Sequence, residues 1–253
     1  MCRFASAPVW LVGLLLSFST SGHAQFLVIG DDNKLDFNDA GKPVFTEPGK
    51  DEVVIVDIKD RESPKIAATL PLQNTVIGPP TNLAITPNET LALVANSLAY
   101  QPDGNGWKPV PDNRIYVIDL VAKPPILLAT LEVGKQPSGM AINRAGDLAL
   151  VANRADNSLS VLTISGKEVK LAQTISLDDT VSAVAITPDG RHALVTKHAV
   201  NKVAWLDIDG PHIHPGDNAV AQRPAALNDP PTHMISYVVV GSYWRDGRLI
   251  LLP

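Results

Sequence analysis

A set of three short apolar strands returns along this 253-residue chain at a fixed interval. The first strands of three successive copies are centred on Ala84, Ala141 and Ala185. The second of these intervals is 44 residues, and the first is 57 because one copy carries 13 additional residues. The third strands, centred on Val117, Val161 and Trp205, are 44 residues apart in both cases. The chain must therefore build the same strand arrangement several times in succession.

A repeat of this length with about four strands per unit predicts an all-β fold, a β-propeller of four-stranded blades. We expect four recognisable units and a degraded fifth. The first unit begins at its second strand, FLVIG at 26–30, and the fifth is represented by apolar runs around Val239 and Leu249. The predicted boundaries are 1–24 for a targeting segment, 25–210 for the repeats and 211–253 for a divergent tail that contains the partial fifth blade.

The first 24 residues have the pattern of a signal peptide. Arg3 supplies the positive charge, an apolar run extends from Val9 to Phe18, and small residues lead up to Ala24. We expect this segment to be removed, which leaves a periplasmic or secreted chain that starts at Gln25 and has no membrane span. The single cysteine, Cys2, would be lost with the segment, so neither a disulfide nor a covalent haem is expected.

The charge balance argues against nucleic acid as a partner. Without Arg3 the mature chain has 20 Lys and Arg against 26 Asp and Glu, and no cluster of basic residues occurs. A nucleic-acid-binding protein needs a basic face that releases counterions from the phosphates.

Two units carry long polar insertions between their second and third strands, at 31–51 and 97–113. Their Asp, Asn, Gly and Pro content predicts loops. In a four-stranded meander such loops open on one face, so we predict a ligand-binding surface there. The candidate residues are Asp31, Asp32, Asn33, Tyr100, Asp103, Asn105 and Trp107 from the insertions, and Asn153, Arg154 and His198 from shorter loops. The acidic content favours a cationic or hydroxyl-rich ligand; the alternative is that the insertions are merely tolerated.

Other polar residues at regular positions are expected to be structural. Asp57, Asp119 and Asp207 end the third strands and are predicted to close the following turns. Asn96 and Asn153 are predicted to bond backbone groups at the strand ends. His212 and His214 form the only His-x-His pair, but the surrounding sequence has no fixed metal-ligand spacing, so no metal site is predicted.

Four short segments resemble the YVTN family of β-propeller repeats. They are the hairpin Pro188-Asp189-Gly190, the LVAN strands at 93–96 and 150–153, and VID at 117–119. The resemblance extends over about 26–209. Relatives of this type usually have seven blades and include lactonase-like proteins, surface-layer proteins and redox enzyme subunits. The resemblance thus implies a chain that is truncated relative to a seven-bladed parent, with open blade edges that favour self-association.

Two functions are compatible with the sequence. The first is an exported binding or scaffold protein for an unknown small molecule or protein, without a cofactor. The second, implied by the resemblance, is a lactonase-type hydrolase that uses loop carboxylates and His198. The chain has no Gly-x-Ser-x-Gly elbow, phosphate loop or dinucleotide fingerprint that would specify a reaction.

Overall fold

The computed structural model describes residues 24–75, 82–197, 199–200 and 202–216, and the strand backbone at 221–222, 243–245 and 248–250. These residues form strands joined by turns and loops. None of the described residues belongs to a helix of the length and apolarity needed to cross a membrane.

Four antiparallel sheets, here numbered I to IV in chain order, make up most of the described chain. Sheet I consists of β1 (Phe26–Asp31), β4 (Glu52–Asp57) and β5 (Lys65–Leu70). Sheet II consists of β6 (Leu83–Ile85), β7 (Leu91–Asp103), β8 (Gly106–Asp119) and β9 (Ile126–Glu132). Sheet III consists of β10 (Pro137–Ile142), β11 (Leu148–Asn153), β12 (Ser158–Ser165) and β13 (Glu168–Ser176).

Sheet IV consists of β14 (Val181–Ile186), β15 (His192–Lys197), β16 (Lys202–Asp209) and β17 (His212–Pro215), and β18 (Ala221–Gln222) also pairs with β16. Two separate hairpins are formed by β2 (Leu35–Phe37) with β3 (Pro43–Phe45) and by β19 (Tyr243–Arg245) with β20 (Arg248–Ile250). The strand β17 follows directly on the predicted end of the repeats at residue 210 and supplies the fourth strand of sheet IV.

The strand pairing confirms the repeat. Ala84, Ala141 and Ala185 each lie opposite the leucine of the following strand, at Leu93, Leu150 and Leu194. The third strands show the same correspondence, since Val117, Val161 and Trp205 pair with those three leucines. Sheets I, II and III also share a register shift at one equivalent position, directly after Ile55, Val117 and Val161.

The sheets are stacked face to face in chain order, with one apolar core at each junction. Val28 and Ile55 of sheet I pack against Val94 and Ile118 of sheet II. Equivalent cores join sheet II to sheet III and sheet III to sheet IV. This stacking explains why the strands are apolar at nearly every position, because each inner sheet is covered on both faces.

The first strands of sheets III and IV approach each other closely at Gly139. A Cβ atom at this position would lie 2.5 Å from the Cα of Ala183 and 2.5 Å from the carbonyl oxygen of Ser182. Real Cβ atoms do not come this close to backbone, so the spacing between these two strands depends on glycine at position 139.

One part of the sequence-based assignment differs from the structure. The insertion at 97–113 is not a loop: β7 and β8 continue through it as a hairpin and close with Asp103 opposite Gly106. Near the end of the chain, Leu249 pairs with Trp244 in the hairpin of β19 and β20. The apolar run around Val239, predicted to form the preceding strand of a fifth blade, lies outside the described residues.

The described architecture is all-β and consists mainly of four-stranded antiparallel sheets, as a β-propeller requires. The number of blades and the truncation remain predictions.

Candidate functional site

The two insertions fold against each other on one side of the stacked sheets. We call this side the insertion face. It contains the strand ends at which Asp31 pairs with Glu52 and Asn96 pairs with Arg114. The first insertion forms the hairpin of β2 and β3, and the second is the extension of β7 and β8. The rings of Phe45 and Tyr100 join them, with centroids 5.4 Å apart.

A buried lysine lies beneath this junction. Lys34 is 0% exposed, and its ammonium group donates to Oδ1 of Asp32 at 2.9 Å and also to Asp51. It further donates to the carbonyl oxygen of Asn74 and lies 5.4 Å from the centroid of the Tyr100 ring. An ammonium group removed from water in this way is stable only when charged and polar partners surround it, as they do here.

Asn74 attaches the connection between sheets I and II to the same cluster. Its Nδ2 donates to the carbonyl oxygens of Asp31 and Glu52, each at 3.0 Å. Its backbone N–H donates to Oδ2 of Asp51 at 3.2 Å. The base of the first insertion is therefore fixed by bonds to residues that are distant in sequence.

A second polar group forms the base of the other insertion. Nε of Arg114 donates to Asp112 at 2.8 Å, and its Nη2 donates to Oε1 of Gln73 at 2.8 Å. The hydrogen bond to Asp112 raises the pKa of Arg114 above its ordinary value, and burial opposes this effect. Asn96 also donates to Asp112 and accepts from Oγ1 of Thr75 at 3.0 Å.

The prediction that Asn96 and Asn153 bond backbone groups at the strand ends is wrong. Asn153 donates from Nδ2 to Oγ of Ser158 at 3.0 Å and to Oγ of Ser160 at 2.8 Å. Both asparagines are fully buried and join neighbouring strands through side chains. For Asn153 the partners are serines on the third strand, whereas Asn96 bonds Asp112 and Thr75. The backbone groups of the paired strands are used in the sheet.

Tyr100 carries a buried hydroxyl group in the cluster. Burial, and then the negative charges of Asp32 and Asp51, raise the pKa of Tyr100 to about 12. The phenol therefore stays protonated at neutral pH. Within the described part of the chain this hydroxyl has no hydrogen-bond partner, so it is a donor that remains available to another group.

The structure separates the predicted site residues into three sets. Asp32 and Tyr100 are buried at the junction, whereas Asp31 and Asn33 are exposed beside it, with Nδ2 of Asn33 donating to Oδ2 of Asp31 at 3.0 Å. Three residues lie in the outer part of the second hairpin, roughly 7 Å or more beyond Tyr100 at the rise of an extended strand: Asp103 and Asn105, both exposed, and the half-buried Trp107.

The residues predicted from the shorter loops lie farther along the insertion face. Asn153 and Arg154 are at the end of β11 in sheet III, where the backbone N–H of Arg154 donates to the carbonyl oxygen of Gln136 at 2.9 Å. His198 lies outside the described residues. Sequence reasoning missed Lys34, Asp51 and Asn74, because their pairing depends on contacts between distant segments and no local pattern marks it.

Two cavities lie on the opposite face, at the other ends of the strands. One, of about 580 Å³, lies between the turns of sheets III and IV, and the other, of about 430 Å³, lies between those of sheets I and II. Polar side chains of the larger cavity already support its turns: Oδ1 of Asn143 accepts from three backbone N–H groups, and Oδ1 of Asp189 accepts from Thr187 and Arg191. The cavity walls are thus turn structures, and they make this face a useful control in binding experiments.

The described residues contain no group of three or more His, Cys, Asp or Glu side chains that is arranged to hold a metal ion. His212 and His214 are both exposed on β17, with Ile213 buried between them.

Several solved structures have a similar fold. A provisionally assigned 6-phosphogluconolactonase from Bacteroides uniformis is 13% identical, with a TM-score of 0.53, and the match covers 74% of this chain and 54% of that one. The dihydro-heme d1 dehydrogenase NirN is 22% identical, with a TM-score of 0.52, and the match covers 70% of this chain and 35% of that one. The chain therefore spans about half and about a third of the lengths of these two proteins.

Identities at this level show the fold alone. The sheets and these likenesses together define the class of the protein as all-β with a fold of the β-propeller type. No family model matches the chain, and no curated protein sequence matches it significantly. The resemblance to YVTN repeats accordingly stays a prediction.

Proposed function

We propose that this protein is an exported binding protein of the β-propeller class whose ligand contacts the insertion face. The main support is the way in which the two insertions share one polar cluster, with Lys34 at its centre and Phe45 against Tyr100. Insertions that are merely tolerated do not need buried charges at their base. A fixed base holds the exposed groups around it in a defined arrangement, which reduces the conformational entropy that the protein loses when a ligand binds.

The ligand class follows from the exposed groups. Asp31, Asn33, Asp103 and Asn105 offer mainly oxygen acceptors, and Trp107 adds aromatic surface. Such a surface suits a hydroxyl-rich molecule or a cation and is unfavourable for a phosphate. Lactone hydrolysis is the alternative function, and lactones belong in the same set of test compounds.

The experiment is a thermal-shift screen of sugars, polyols, polyamines and lactones, followed by calorimetric titration of each hit. Trp107→Ala and Asp31→Asn should each weaken binding about tenfold, which corresponds to about 1.4 kcal/mol. Asp189→Asn, on the opposite face, is the control and should leave the affinity unchanged.

Two results would contradict the proposal. One is an affinity that depends on Asp189 and not on Trp107 or Asp31. The other is steady turnover of a lactone by the purified protein, which would replace the binding function with the hydrolase.

A further inference from the structure

The outer face of sheet I is apolar and open. Leu27 and Ile29 of β1 are 48% and 42% exposed, and Ile66 of β5 is 69% exposed. Val54 and Val56 lie opposite Ile29 and Leu27 on β4, and both are half-buried. An apolar surface of this extent on one sheet is unusual for a solvent-facing position.

The equivalent residues of the other sheets show the structural role of this surface. Leu27 corresponds in strand register to Ala92, Ala149 and Ala193, and Ile29 corresponds to Val94, Val151 and Val195. In sheets II, III and IV these residues are at most 1% exposed, because they pack against the preceding sheet. The outer face of sheet I is therefore a junction surface of the same kind.

The complementary surface lies at the other end of the stack, on the outer face of sheet IV. Leu194, Val203 and Trp205 are partly exposed there. Their equivalents in sheets II and III are fully buried against the next sheet of the stack: Leu93, Ile115 and Val117 in sheet II, and Leu150, Leu159 and Val161 in sheet III.

We infer that the chain associates head to tail, with the outer face of sheet IV of one copy on the outer face of sheet I of a second copy. At each internal junction, a surface equivalent to the outer face of sheet IV packs against a surface equivalent to the outer face of sheet I. The outer face of sheet IV in a second copy therefore matches the outer face of sheet I. The two surfaces differ from each other, which makes the contact heterologous and able to extend into a ring or a filament. The sequence predicted self-association through strand edges; this inference assigns it to sheet faces instead.

The test blocks one surface at a time. Ile29→Lys places a charge on the sheet I surface, and Leu27→Lys is a second variant of the same surface. Leu194→Lys and Val203→Lys are the corresponding variants of the sheet IV surface. Sedimentation equilibrium should show that the mass of the wild type rises with concentration, whereas each variant stays a monomer. Leu171→Lys, an exposed leucine on β13 of an inner sheet, is the matched control and should associate like the wild type.

A mixture gives the decisive result. Ile29→Lys still has its sheet IV surface and Leu194→Lys still has its sheet I surface, so an equimolar mixture should form dimers of twice the monomer mass and nothing larger. Circular dichroism spectra that match the wild type establish that each variant is folded. A wild type that is monomeric at every concentration, association that Ile29→Lys and Leu27→Lys leave unchanged, or a mixture that stays monomeric would each overturn the inference.

Discussion

Lys34 is expected to contribute strongly to the stability of the fold, because it is buried and paired with two carboxylates. Replacement of its ammonium group by an apolar side chain of similar length, as in Lys34→Met, leaves Asp32 and Asp51 as buried carboxylates without this partner. We expect the free energy of unfolding to fall by about 3 to 5 kcal/mol, as it does when one member of a buried ion pair is removed. Urea denaturation measured by circular dichroism would show the change.

Lys108→Met is the matched control, because Lys108 is an exposed lysine that lies 3.8 Å from Asp103 at the hairpin tip. Exposed ion pairs contribute little, so its effect should stay within about 0.5 kcal/mol. Equal effects for the two substitutions would show that the Lys34 cluster does not stabilise the fold.

Asp119 gives a pH-dependent prediction. Burial raises the pKa of its carboxyl, but hydrogen bonds from Lys167 and from the backbone N–H groups of Val121 and Ala122 outweigh burial and lower the pKa below 3.8. A carboxyl group whose pKa is lower in the folded state stabilises the fold at pH values above 3.8. This stabilisation is lost as the pH falls through the folded-state pKa. Asp119→Asn should therefore cost about 1 to 3 kcal/mol at neutral pH and progressively less in acid.

Urea titrations at neutral and acidic pH would measure this convergence. A stability difference that is the same at both pH values would contradict the assigned role of the Asp119 charge.

The sequence predicted some of these residue roles and not others. Asp57 and Asp119 accept hydrogen bonds from backbone N–H groups of the following turn, as expected, because such bonds are local. The prediction is wrong for Asp207, whose Oδ1 lies 2.9 Å from Nδ1 of His192 on the neighbouring strand. Contacts between strands depend on the register in which the two strands pair. The spacing of residues within one turn carries no information about that register.

The spacing between strands β10 and β14 is sensitive to side-chain size at position 139. Gly139→Ala would place a methyl group against the backbone of Ala183, so the two strands must move apart. We expect a loss of about 1 to 3 kcal/mol, the usual cost of overpacking a core. Thermal unfolding would detect it, and Gly106→Ala is the control, since a Cβ there would lie 3.9 Å from the backbone oxygen of Asp103, an ordinary van der Waals distance.

If Gly106→Ala destabilised the protein as much as Gly139→Ala, the effect would reflect the general loss of glycine and not the close approach of the strands.

The second insertion is an element whose secondary structure the local sequence did not predict. Its Pro, Asp and Gly residues favour a loop, yet β7 and β8 continue through it. The reason is tertiary, because Leu98 and Tyr100 are buried on this hairpin and Tyr100 packs against Phe45. The sequence could place both insertions at one topological position, but the side chains that join them follow from contacts between separate units.

For the whole molecule, the 44-residue period was sufficient to predict sheets I to III, the first three strands of sheet IV and the equivalence of the sheets. It is sufficient because each strand repeats its apolar positions, and these determine both register and stacking. The arrangement of the chain after the fourth sheet does not follow from the period, since the repeated residues fade beyond Asp209.

Export is a prediction for the whole chain. The basic residue, apolar run and small residues before Gln25 should direct cleavage after Ala24. Intact mass spectrometry of the exported product is expected to give the mass of a chain that begins at Gln25. A product that retains Met1 would show that the segment is not cleaved.

The burial of Lys34 has a practical consequence for chemical modification. Amine-reactive reagents acylate lysines that they can reach, and Lys59, Lys108 and Lys170 have side chains that are 55%, 51% and 65% exposed. The Lys34 side chain is 1% exposed and its ammonium group is held by hydrogen bonds, so it reacts only after the first insertion has detached from Asn74. The extent of acylation at position 34 in a peptide digest thus reports how often the insertion face opens.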